Sequence, residues 1–107
     1  MSGQQLGMRD AFQAFMNESS GHAEAWMGAV HGLDGASALD KKSEELAYLA
    51  VLAALRLDSG VPLQVQLAKE AGASREEVIS AVLVGLPAAG QGVTQVLPAA
   101  IATYDAG

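Results

Sequence analysis

A chain of 107 residues without cysteine can form no disulfide, no thiolate metal site and no thiol nucleophile. Its net charge of −6 leaves no basic patch to displace counterions from a nucleic acid or to seat on an anionic membrane, so neither is expected as a partner. Half the residues are apolar and 17% charged, against about a quarter in ordinary domains, and so thin a polar coat points to a homo-oligomer.

The length suits one domain, residues 1–107, with a modest core. Nothing before the first helix has the charged and apolar regions of a leader, which gives a cytoplasmic location as the expectation. Met1–Gly7 is polar and expected to fray. An amphipathic helix follows over Met8–Asn17, with Phe12, Phe15 and Met16 on one side, and Asn17–Gly21 breaks it. Trp26, Met27 and Val30 recur at helical spacing and predict a second helix over His22–His31. Gly32, Gly35 and Ser37 then read as a loop.

The central segment is residues 40–58, DKKSEELAYLAVLAALRLD. Asp40 is placed to cap its first amides, with Leu39 before it. From Leu46 to Leu55 the Tyr48 hydroxyl is the one polar side-chain group. The run is far shorter than the roughly 18–20 apolar residues that span a bilayer. A helix apolar all round belongs inside a protein or at a subunit interface. Asp58-Ser59-Gly60 is expected to end it. Pro62 suits a first turn, and the next helix is expected over Pro62–Ala71, stopped by Gly72 in left-handed conformation.

Ser74-Arg75-Glu76-Glu77 matches the S-x-x-E capping box. The helix it opens carries Val78, Val82 and Leu86 along one stripe and Ala81, Gly85 and Ala89 along another, until Pro87 kinks or ends it. After Gly90 and Gly92 a last helix is expected over Val93–Tyr104, its early turns distorted by Pro98. No period-two strand pattern occurs. The reading is all-α, with five or six helices.

Glu45 is the most informative side chain. On ideal geometry it lies within about 40° of Leu49, Leu52 and Arg56, so a carboxylate sits over an apolar stripe. A carboxyl group in such a place is a candidate acid or base. The plainer alternatives are a favourable interaction with the helix dipole or an i−4 pair with Lys41. Glu44, beside it, reads as a solvated first-turn acid. Gln64 is a candidate to orient a ligand, or else part of a polar helix face with Gln66. Trp26 and Tyr48, with Met27, line a pocket or simply belong to the core. His22 and His31 point in nearly opposite directions from one helix and make no metal site, since ligands come in threes and fours. Gly90-Gln91-Gly92 lacks the strand, the further glycine and the lysine of a phosphate-cradling loop.

In register, Leu39-Asp40-Lys41, Glu45-Leu46, Gly72-Ala73-Ser74-Arg75-Glu76-Glu77 and Gly90-Gln91-Gly92 resemble the carboxymuconolactone decarboxylase family, which includes the alkylhydroperoxidase D (AhpD) type proteins. The resemblance covers about two-thirds of the chain and implies an AhpD-like helical bundle, often trimeric or hexameric. It places Glu45 where the family keeps an active-site acid. The AhpD branch has cysteines at the places of Leu57 and Gly60 and a histidine at the place of Gln64. Leucine and glycine cannot attack a peroxide, so thiol peroxidase chemistry is excluded. Glutamine donates and accepts hydrogen bonds but takes no proton near neutral pH.

The function these residues imply is acid–base chemistry by Glu45 on a small organic acid or lactone, a decarboxylase or other lyase reaction without metal or cofactor. Gln64, Tyr48, His22 and Trp26 would orient or bind the substrate. The alternative is a non-catalytic oligomeric binding or scaffold protein on the same fold. A third reading, a redox partner of an external thiol protein, leaves this cysteine-free chain only a binding role.

Overall fold

The computed structural model describes residues 8–106, so the expected fraying of 1–7 lies outside the described residues. Among the described residues there are helices and no strands. They gather into two units, divided between Ala38 and Leu39.

The first unit holds α1 (Met8–Glu18) and α2 (Ser20–Ala36), which meet at Ser19. The Ser19 side chain hydrogen-bonds His22 Nδ1 across the first turn of α2. The break expected over five residues is therefore a single one. At its other end α2 runs through Gly32 and Gly35, where a loop was expected, and stops at Ser37 in extended conformation. Each glycine weakens a helix by about 1 kcal/mol without breaking it, and neither here takes a positive φ. Among the described residues of this unit Ala23 is the one buried hydrophobic, while Phe12, Met16, Trp26, Met27, Val30 and Leu33 stay exposed.

The second unit is built on α3 (Lys41–Leu55). Asp40 Oδ1 accepts from the Ser43 amide at 2.7 Å, and that bond holds the Asp40 carboxyl below the usual carboxylate range. The helix ends a turn earlier than Asp58-Ser59-Gly60 suggested. Arg56 takes the left-handed conformation, φ 58° and ψ 40°, with Arg56 N on Ala53 O and Leu57 N on Leu52 O. This is a Schellman end made with arginine where glycine is usual, at a cost of roughly 1–2 kcal/mol. Asp58–Gly60 forms a 3-10 turn into α4 (Val61–Glu70), with Pro62 in its first turn. Gly72, at φ 99°, closes α4 through the same pair of bonds, Gly72 N to Lys69 O and Ala73 N to Ala68 O.

The capping box that opens α5 (Arg75–Leu83) is complete. Glu77 N donates to Ser74 Oγ at 3.1 Å, and Ser74 N donates to Glu77 Oε1 at 2.9 Å. Lys42 Nζ reaches the other oxygen at 3.0 Å. The Ser74 amide first, and Lys42 second, hold the Glu77 carboxyl below its ordinary range. Ser74→Ala removes one of the reciprocal bonds. It should cost about 1 kcal/mol, read as a lower urea midpoint at unchanged slope.

Because α5 stops at Leu83, Ala81, Gly85 and Ala89 do not form one helical stripe. Val78 and Val82 are buried as their spacing predicts, whereas Leu86 is exposed and opens the single turn α6 (Leu86–Ala89). Gly90, at φ 83°, leads into a 3-10 segment, Gln91–Val96. The expected last helix is thus divided, and α7 proper is Leu97–Ala106 with Pro98 in its first turn. Proline has no N–H to donate backwards, so it starts an α-helix more easily than it continues one.

The core is formed largely by small and β-branched side chains. Leu49 and Ala53 of α3 meet Val61, Val65 and Ala68 of α4, Val78 and Val82 of α5, Val93 and Val96 of the 3-10 segment, and Ala100 of α7. Polar bonds tie α7 to the others. Tyr104 Oη donates to Ala73 O at 2.9 Å, Lys69 Nζ donates to Tyr104 O at 2.7 Å and lies 4.5 Å from that ring's centroid, and Arg75 forks onto Asp105 at 2.9 and 3.3 Å. The Arg75 bond lowers the Asp105 carboxyl and raises the guanidinium.

Candidate active site around Glu45

Glu45 sits in the first turns of α3, on the side where Leu49, Leu52 and Ala53 are buried. It is itself buried, at 7% exposure. Oε1 lies 3.8 Å from Lys41 Nζ, whose side chain is mostly in solvent, a long i, i+4 contact. Oε2 is buried and accepts no hydrogen bond among the described residues. A buried polar atom left unpaired costs about 1–3 kcal/mol, so this oxygen is the least expected feature of the unit.

Gln64 comes to the same place from α4 and is also buried, at 6%. Its Nε2 donates to the backbone carbonyl of Glu45 at 2.9 Å. The bond locks the helical turn that carries the carboxylate to the facing helix. The bond engages one of the amide's two N–H groups. The short 58–60 turn brings α4 against α3.

Within the second unit, Tyr48 stands apart from this pair. Tyr48 is 56% exposed on the outward side of α3. His22 and Trp26 lie four residues apart on α2 and both are exposed. Glu44 is half-buried, and Gln66 is exposed. Among the described residues no three His, Asp or Glu side chains gather as a metal cluster would require.

Two features were not foreseen. An open groove of about 570 Å³ runs between α3 and α5, with Leu46, Ala47 and Ala50 facing Glu76, Glu77, Ser80, Ala81 and Val84. Neither Glu45 nor Gln64 lines it. Only the small residues of both helices hinted at it. The second is Arg56, whose guanidinium lies against Gly92, where any Cβ would collide with it. No spacing rule foretells an arginine in the left-handed region.

A profile of the carboxymuconolactone decarboxylase family matches residues 21–102. The chain belongs to this family. The match runs from the start of α2 to α7 and takes in Glu45, Gln64, Tyr48, His22 and Trp26 alike. No curated protein and no solved structure matches the chain. As a carboxymuconolactone decarboxylase family member it has the all-α, AhpD-like bundle that its motifs imply. The family's profile also spans both units, and no helix among the described residues is long and apolar enough to cross a membrane.

Proposed function

We propose that this protein is a carboxymuconolactone decarboxylase-like enzyme in which Glu45 moves a proton on a small organic acid or lactone, without a cofactor. The observation that carries the reading is the buried Oε2, a carboxylate oxygen with no partner among the described residues. Such an atom lowers stability, and sites that do so are those where chemistry is done. When a substrate carboxylate leaves as carbon dioxide, the electron pair of the broken bond stays on carbon and is spread into the adjoining carbonyl. Glu45 would pass a proton to that carbon and take one from solvent in return.

Gln64 would hold the turn that aims Glu45, through its bond to the Glu45 carbonyl. The thin charge and the exposed apolar residues support a homo-oligomer, trimeric or hexameric, built from one family domain per chain. The competing reading is a non-catalytic oligomeric binding or scaffold protein. It draws on the Gln64 amide bonding the backbone through one N–H and on Tyr48 facing outward.

The experiment is a panel of small carboxylated lactones and unsaturated acids incubated in D₂O. Wild type should release carbon dioxide and leave one deuterium on the product carbon. Glu45→Gln should be slower by about 10²–10⁴-fold with little change in substrate binding. Equal turnover by Glu45→Gln would overturn the assignment.

A further inference from the structure

We infer that the Arg56 guanidinium, laid against Gly92, is an anchoring site for the carboxylate of a small organic acid. Arg56 ends α3 in the left-handed conformation, which glycine adopts freely and arginine only under strain. Gly92 makes the opposite exchange. Its φ is not positive, so the backbone there would accept other residues, yet a Cβ would run into Nε, Cζ and Nη2 of Arg56. Arginine at 56 and glycine at 92 are each the costlier choice for the local backbone, and together they make this contact possible. A strained residue persists where its surroundings over-determine it, and such residues gather at binding sites.

The guanidinium held in this way has no acceptor within its unit. Lys42 Nζ lies 3.0 Å from Glu77, Lys69 Nζ 2.7 Å from Tyr104 O, Arg75 Nε 2.9 Å from Asp105 and Lys41 Nζ 3.8 Å from Glu45. Among the described residues of the second unit, Arg56 is the one cation whose side chain meets no such partner. Asp58, the nearest acid along the chain, takes the Gln95 amide at 3.1 Å. The five N–H donors of a rigid fork are thus placed and unspent. Two parallel N–H groups of that fork match the two oxygens of a carboxylate. One guanidinium also balances a carboxylate's single charge. A phosphate dianion calls for a second cation, and no lysine or arginine occurs between Arg56 and Lys69 or after Arg75. Glu45 lies eleven residues back, about 16 Å along α3, and takes no part in the site.

The test is an NMR titration of the isotope-labelled whole chain with sodium acetate. Sodium chloride at the same ionic strength is the second arm and inorganic phosphate the third. Millimolar acetate should shift the Arg56 Nε–H and Gly92 amide resonances along a saturable curve, and chloride should not. Arg56→Gly keeps the left-handed end of α3 without its strain, so it should fold and lose the saturable response at Gly92. Arg56→Lys keeps the charge without the fork and should bind acetate about tenfold more weakly, the loss of one charge-assisted bond. Gly92→Ala displaces the guanidinium and should abolish the response at Arg56, although the arginine is still present. Glu45→Gln should respond as wild type does. If Gly92→Ala fails to fold, Arg56→Gly decides. The site is overturned by an acetate response that survives Arg56→Gly or Gly92→Ala, by one that disappears in Glu45→Gln, by phosphate binding more tightly than acetate, or by no saturable shift at all.

Discussion

Glu45→Leu should melt at a higher temperature than wild type and should have lost the proton chemistry. The substitution removes a carboxylate oxygen that is buried without a partner, a change worth about 1–3 kcal/mol in favour of the folded state. It also loses the contact with Lys41, but at 3.8 Å from a lysine that is 63% exposed, such a pair contributes only about 0–1 kcal/mol. Lysine preceding glutamate by four is, moreover, the weaker order on a helix. The balance favours leucine by about 1–2 kcal/mol, and a domain of this size gains roughly 4–8 °C per kcal/mol. Glu45→Gln serves as the control. Its amide is as unpartnered as the carboxylate, so its melting temperature should stay near wild type while activity falls. A clear drop in stability for Glu45→Leu would mean that Glu45 holds the fold together. The catalytic proposal would then lose the observation on which it rests.

Leu49→Ala, one turn further along α3, should be the most damaging single truncation in the core. Leu49 is fully buried among the valines of α4 and α5, and the core around it is made of short, stiff side chains that cannot reach into the space left behind. A cost of about 2–5 kcal/mol follows, against a total of roughly 5–15 kcal/mol for a domain. Urea titration should show the midpoint falling at near-constant slope. Leu55→Ala on the same helix is the informative comparison, because Leu55 is 62% exposed within one chain. That truncation should cost a few tenths of a kcal/mol.

The same helix shows why some elements could be read from the sequence and others could not. Asp40, Pro62, Gly72 and the Ser74–Glu77 box act within a turn or two of themselves, and each does what its spacing requires. Arg56 lies beyond that reach. A glycine or asparagine would have marked the end of α3, and the arginine there is stabilised by bonds that only the folded turn provides. Gly32 and Gly35 misled in the other direction, since each is followed by a good helix former, Leu33 and Ala36, and neither needs a positive φ. Pro98 gave the position of a boundary but not its form, a 3-10 segment before the α-helix.

For the site, periodicity put Glu45 over an apolar stripe, and the carboxylate is indeed buried with Leu49 and Leu52. Its pairing with Gln64 was legible only as a family register. What Gln64 does there, bonding the Glu45 carbonyl instead of a free ligand position, depends on how two helices nineteen residues apart are set against each other. Tyr48 was placed with the candidate site by residue type, yet it lies about one-sixth of a turn from Glu45 and on the solvent side.

By itself, then, the sequence determined an all-helical chain, its caps, its missing thiols and the apolar character of α3, because these follow from local geometry and side-chain chemistry. Which side of that apolar helix is covered within the chain and which is left bare was decided only by tertiary packing. A ten-residue run with no polar face carries no internal mark of direction. The neighbours α4 and α5 set that direction, burying Leu49 and Glu45 and leaving Tyr48, Val51 and Leu55 outside.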